Sequence, residues 1–172
     1  MKTLFSILVV TILSFSLVLG QSTREEAKKL QKPKDSGITD YDAFKNSSFG
    51  LLSELIKTDE NYEKTKANVS GYLEGGQEYS VDQVKTDIGE FKKLKKSLEN
   101  MDERVISLTK EGNDLLQNAS NVKPVTKVKA ATSNTKKALQ AVDLSKSMIS
   151  EITEGVVGDI TKLSSLIGEE EE

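Results

Sequence analysis

The chain has no histidine, no cysteine and no tryptophan in its 172 residues. Without histidine and cysteine there is no Ser-His-Asp or Cys-His nucleophile pair, no H-E-x-x-H zinc site and no cysteine-held metal cluster. No disulfide can form either, so stability has to come from apolar burial, which favours a long regular fold over a small loop-rich one. No glycine-rich stretch lies between a strand pattern and a helix pattern, so a phosphate cradle has no support. Ser107-x-x-Lys110 and Ser133-x-x-Lys136 match S-x-x-K, but the companion motifs of serine acyltransferases are missing. The acidic residues lack the alternate-residue loop spacing of calcium sites. No catalytic residue, cofactor or metal ligand is expected, and the chain reads as a non-enzyme.

A large excess of one charge sign is also lacking. Basic residues number 24 and acidic residues 27, a net of −3. That mild balance gives no footprint for nucleic acid and no cationic membrane face.

What is present begins with a targeting pattern. Residues 1–20 read as a signal peptide: Lys2 supplies the positive start, Leu4 to Leu19 is uncharged and apolar, and Val18-Leu19-Gly20 ends on a small residue. An uncleaved anchor is the alternative, since no charge falls between Lys2 and Arg24. Ser6, Ser14, Ser16 and Gly20 favour cleavage. With no cysteine at that point, lipidation of the bacterial lipoprotein kind is excluded, and no later run is long enough to span a membrane. The expectation is an exported protein, periplasmic or extracellular. Sequons stand at Asn46, Asn68 and Asn118 and matter only in a eukaryotic secretory route.

Residues 21–38 form a polar lead-in, read as a flexible arm or one short helix stopped by Pro33. Three long helices are predicted after it, over about 40–74, 81–122 and 124–167. Thr39 is the expected N-cap of the first, with Asp40 and Asp42 in its first turn. Its seam runs Tyr41, Phe44, Ser48, Leu51, Leu55, Thr58, Tyr62, Thr65, Val69, Tyr72, alternating steps of three and four. Gly75-Gly76 ends it. Ser80 and Gln83 make a capping box for the second helix, whose seam repeats strictly from Leu94 through Leu98, Met101, Val105, Leu108, Gly112, Leu115 and Ala119 to Val122. Pro124 is read as the first position of the third, which carries Val128, Thr135, Leu139, Val142, Ile149, Ile152, Val156, Ile160 and Leu163. Gly155 and Gly158 weaken that helix locally. The acidic tail Glu169–Glu172 opposes the helix dipole and should fray.

Short connections between long helices make neighbours antiparallel. The predicted fold is all-α: an elongated antiparallel three-helix bundle over 39–168 with coiled-coil-like packing. A helical hairpin completing its core by oligomerising is the runner-up. The aromatics lie mainly on the first helix, and the third carries Ala130, Ala131, Ala138 and Ala141, which predicts packing by size complementarity and close approach over its first half.

Charge placement is the one pattern that points to function. Lys123, Lys127, Lys129, Lys136 and Lys137 fall in a stretch without acids. Glu74, Glu78 and Asp82 fall in a stretch without bases, and Glu169, Glu170, Glu171 and Glu172 close the chain. An up-down-up bundle gathers the first set, with Lys28, Lys29, Lys32 and Lys34 of the arm, at one tip and the second set at the other. The sequence is therefore read as a scaffold or protein-binding protein of the cell envelope or extracellular space, with protein partners or self-association head to tail. The alternatives are an amphipathic lipid-binding protein of apolipoprotein type and a periplasmic holdase chaperone.

Overall fold

The computed structural model describes residues 23–168. Residues 1–20, read above as a signal peptide, and the acidic tail Glu169–Glu172 lie outside the described residues.

A short helix α1 spans 23–29. Three long helices follow: α2 at Thr39–Leu73, α3 at Val81–Gln117 and α4 at Val128–Leu166. They contain 35, 37 and 39 residues, which makes a rod roughly 50–60 Å long at 1.5 Å per residue. The described residues contain no strand, and the all-α bundle expected from the periodicity is what forms.

The seams are buried as the spacing requires. In α3 the buried residues are Val84, Ile88, Phe91, Leu98, Met101, Val105, Leu108 and Gly112, which follow the predicted seam and continue it back to the start of the helix. Leu94, which follows Phe91 by three residues where the alternation calls for four, is only partly buried. The α4 helix buries most: Ala131, Ala138, Ser145, Ile152 and Asp159 form a row at intervals of seven that joins the predicted seam at Ile152 and widens it. Tyr62 meets Phe91 edge-on, with ring centroids 6.2 Å apart and planes at 70°, a favoured aromatic arrangement. No helix of the described residues is long and apolar enough to cross a membrane.

The ends of the helices agree with the sequence in some places and depart from it in others. At the C-terminus of α2, Gly75 takes φ +80. The Gly75 amide donates to the Tyr72 carbonyl at 3.2 Å and the Gly76 amide to the Gly71 carbonyl at 3.0 Å, the paired bonds of a Schellman end. Ser80 caps α3 by accepting from the Gln83 amide at 3.2 Å. The expected Thr39 cap is not used: Thr39 is already helical, the capping position is Ile38, and no side chain caps there. The turn before it is closed instead by Asp42, which accepts from the Ser36 and Gly37 amides.

The predicted run of α3 to 122 is too long, and the predicted start of the next helix at Pro124 is too early. The α3 helix stops at Gln117; Ala119–Asn121 and Val125–Lys127 are single 3₁₀ turns, with extended backbone at Val122 and Pro124. Two side-chain bonds, one local and one from α2, take up carbonyls near the end of α3. The Asn118 side chain donates to the Asp114 carbonyl at 2.9 Å, and the Tyr41 hydroxyl donates to the Leu115 carbonyl at 2.8 Å. Freed from the helix, Val122 packs with Tyr41 and Ala131 in a small apolar cluster at this end of the rod.

Two glycines that look alike in the sequence differ in their surroundings. A Cβ on Gly112 would stand 2.6 Å from both Leu139 Cδ2 and Phe44 Cζ, whereas nothing lies within 4 Å of one on Gly158. Overpacking costs roughly 1–3 kcal/mol and alanine returns up to ~1 kcal/mol of helix propensity. Gly112→Ala should therefore lower stability by about 1 kcal/mol net, while Gly158→Ala should raise it by up to ~1 kcal/mol. Urea midpoints of the two variants check this; a rise for both would mean that α2, α3 and α4 do not close around position 112.

Candidate functional site

The most highly organised polar region lies along α2 and α4, where residues 23–38 are laid. This segment is neither loose nor confined to the tip. Of the two readings of residues 21–38, the short helix is present at 23–29, and the residues after it form an extended strap held to the bundle. The Thr23 hydroxyl bonds Glu151 of α4 at 3.0 Å. Arg24 forms ion pairs with Asp59 at 2.8 Å and Glu63 at 3.1 Å, both on α2. Further down, Asn134 of α4 donates to the Lys34 carbonyl at 2.7 Å, and Lys127 donates to the Gly37 carbonyl at 2.9 Å. Residue 24 therefore sits level with residue 59 and residue 35 level with residue 45, so the segment runs antiparallel to α2.

Lys45 anchors the lower part. It is fully buried, pairs with Asp35, and lies 3.8 Å from Asp42. A buried ammonium without an anion would be very costly, so Asp35 has to be brought to it, and the strap follows. Burial of the Asp42 carboxyl opposes its ionisation. The Ser36 amide and hydroxyl, the Gly37 amide and the Lys45 charge outweigh this and hold it below the usual aspartate value. Ala27 is buried, and Leu30 packs against the main core.

The upper part is a cluster of charge between the helices. Asp59 and Asp159 are each only 3 % exposed. The Tyr62 hydroxyl donates to Asp159 Oδ2 at 3.0 Å, and Lys162 approaches Asp159 Oδ1 at 3.6 Å. Lys66 Nζ stands 5.7 Å from the centroid of the Tyr62 ring. Burial raises the phenol pKa of Tyr62 well above its ordinary value, and the Asp159 charge and hydrogen bond add to that, so Tyr62 remains a donor. Burial also raises Asp59 above the usual range, with the Arg24 charge opposing. The Arg24–Asp59 pair is close without being well directed. Arg24 Nε and Glu151 Oε2 are buried without a hydrogen bond, and Asp59 Oδ1 meets only the Arg24 guanidinium, at 2.8 Å. Gly155 makes room for this arrangement, since a Cβ there would overlap the Tyr62 hydroxyl and ring.

The residues singled out in the sequence occupy the surface. Lys123, Lys129 and Lys136 are exposed and Lys137 partly so, along the α3–α4 connection and the first turns of α4. Lys127 is used internally, on the Gly37 carbonyl. The chain also brings Asp35 and Asp42 to this end, on contacts to Lys45, and α3 ends there with Asp114. Acidic side chains therefore share this end with the lysines, and the tip is not uniformly basic. Lys28 and Lys29 are not part of it, because α1 lies beside Asp59, some twenty residues up α2. Glu74, Glu78 and Asp82 are exposed around the α2–α3 turn at the opposite end.

The sequence reading missed Arg24, Lys45, Asp59, Glu63, Glu151 and Asp159. A signal existed: Lys45, Leu52 and Asp59 recur every seven residues beside the main seam of α2, and all three are buried. A second buried row on a helix calls for a further element to cover it. No protein-family model matches the chain, and no curated protein or solved structure is significantly similar to it.

Asp42 gives a pH-dependent test. Its folded pKa is depressed from 3.8, so its contribution is fully present above that value and is lost as pH falls through the folded pKa. Asp42→Asn should cost about 1.5 kcal/mol near neutral pH, the lower end for hydrogen bonds to a charged group. The gap from the parent chain should close below the folded pKa. Urea unfolding of both proteins from pH 7 to pH 2 measures it, and a gap independent of pH would show that the charge on Asp42 does not hold the turn.

Proposed function

We propose that the protein is an exported, non-enzymatic helical scaffold that binds other proteins in the cell envelope or extracellular space. The observation that carries this reading is the division of labour in the rod. Its interior is taken up by packing, and its surface offers a lysine patch at one end and exposed acids at the other. Patches of opposite sign at fixed separation orient a partner and speed encounter more than they add affinity. Contact between the two ends of successive copies is the narrowest form of the same reading, and such heterologous contacts propagate.

The lipid-binding alternative is disfavoured by what opening would expose. The faces turned outward would carry Lys45, Asp59 and Asp159 alongside the apolar seam, and bringing those charges to a hydrocarbon surface is costly.

The test uses the chain from Gln21 to Glu172, immobilised and offered a solubilised envelope fraction, with flotation on anionic and zwitterionic liposomes in parallel. The expected result is capture of discrete proteins that is lost on combining Lys123→Glu, Lys129→Glu and Lys136→Glu, with no flotation. Flotation accompanied by a rise in helicity, without protein capture, would overturn the reading. Sedimentation at low and high salt tests the end-to-end form: association at tens of micromolar should weaken as salt screens the ends, and a monomer under both conditions removes it.

A further inference from the structure

A second charged surface lies on α3, away from both ends of the rod. Lys92, Lys93, Lys95 and Lys96 follow one another with only Leu94 between them, and all four are exposed. Among the described residues none of the four forms an ion pair. Lys92 and Lys96 are i,i+4 neighbours, and Lys92 with Lys95 and Lys93 with Lys96 are i,i+3 neighbours, so the like charges repel and weaken the helix. Glu90 and Glu99 flank the run without pairing to it. The lysines add nothing to the packing of α3, which Phe91 and Leu98 supply at this level.

Gly89 is a second cost of the same kind. A Cβ there would meet nothing within 4 Å, so no neighbour requires glycine, and glycine inside a helix is less favourable than alanine. It precedes Lys92 and Lys93 by three and four residues and shares their side of the helix. Helical side chains lean toward the N-terminus, so these two lysines lean over bare backbone, a surface that another chain can approach closely.

At about 3.6 residues per turn the lysines fan around α3 in the order Lys95, Lys92, Lys96, Lys93. The band therefore crosses the helix rather than following its axis. It continues onto α2: Lys93 shares a shallow groove with Asn61, and Asn61 shares the next with Lys57 and Lys64, both exposed. Of the acids lining these grooves, Glu54 is taken by Arg104, which leaves Glu60 and Glu90 beside the track.

We propose that this band binds a linear sulfated polysaccharide lying across α3 and α2. The chemistry of the track selects that occupant. Single-stranded nucleic acid needs aromatic faces on which to stack, and Phe91 is fully buried. A membrane surface calls for bulky exposed apolar residues beside the lysines. Leu94 is only partly exposed, and the exposed large apolar residues of α3 are Val81 and Ile106, each more than two turns from the run. Protein interfaces centre on aromatic and arginine anchors and are depleted in lysine. Sulfate groups spaced along a sugar chain ask only for mobile point charges at intervals, which lysines supply, and for open backbone between them. This surface is separate from the two ends of the rod, so its ligand and their protein partners can be lost independently.

The probe is a fluorescein-labelled heparin oligosaccharide, titrated by anisotropy into the chain Gln21–Glu172 at low and physiological salt. The full chain carries a net charge of −3, so its average field opposes binding and any affinity has to come from a local band. The expected result is binding that weakens with salt and falls by at least about tenfold when Lys92→Gln, Lys93→Gln, Lys95→Gln and Lys96→Gln are combined. Gly89→Leu should weaken it as well, because a side chain then stands where the sugar chain lies. Lys123→Gln, Lys129→Gln and Lys136→Gln together should leave it nearly unchanged. Glutamine removes the repulsion within α3, so the quadruple variant should keep the bundle and unfold at a urea midpoint no lower than the parent's. No binding to heparin at low salt, or a quadruple variant that binds as the parent does, would overturn the proposal. So would an equal loss from the three tip substitutions, or affinity for desulfated heparin, single-stranded DNA or phosphatidylglycerol vesicles matching that for heparin.

Discussion

Side chains on α4 set how closely every other element approaches it. Ala131, Ala138 and Ala141 are fully buried, and Thr135 and Ser145 are buried with their hydroxyls turned back onto the Ala131 and Ala141 carbonyls. Those intrahelical bonds satisfy the hydroxyls without demanding a partner across the interface. The first half of α4 can therefore be enclosed on several sides by larger residues from its neighbours. Burial of α4 is the constraint from which the arrangement of α2, α3 and the N-terminal segment follows.

That constraint explains why charge is found inside. A helix with so wide a buried face needs more cover than two neighbours supply, and the third cover comes from a polar stretch of chain. Such a segment brings backbone amides, carbonyls and charged side chains with it, and each has to be matched on the surface it lies against. Lys45 with Asp35, Asn134 with the Lys34 carbonyl, and Asp59 with Arg24 are those matches. Buried ion pairs of this kind add little net stability. Their effect is to fix where the segment lies.

The long helices were legible because their information is periodic and redundant: a dozen apolar residues at steps of three and four place α3 even though Gly112 and a short step at Leu94 interrupt it. The ends were less legible. Gly75 and Ser80 announce themselves through chemistry only a few residues can perform, whereas the end of α3 depends on Tyr41, seventy-four positions away. The N-terminal cluster was illegible for the same reason. Arg24 has no local meaning, and its role exists only once α2 and α4 place Asp59 and Glu151 on either side of it. The lysine stretch was visible, yet a linear count could not show that Lys127 is spent on the Gly37 carbonyl, or that the chain returns aspartates to the same end.

Among the described residues, the N-terminal segment covers α2 and α4 up to about the level of Asp59 and Glu151, and the rod has four elements in cross-section below that level and three above it. Resistance to bending rises steeply with thickness, so a molecule loaded sideways would flex in the slimmer portion bearing Tyr72 and the Gly75-Gly76 turn, while the thicker portion stayed straight. Loss of the short helix would extend that compliance downward.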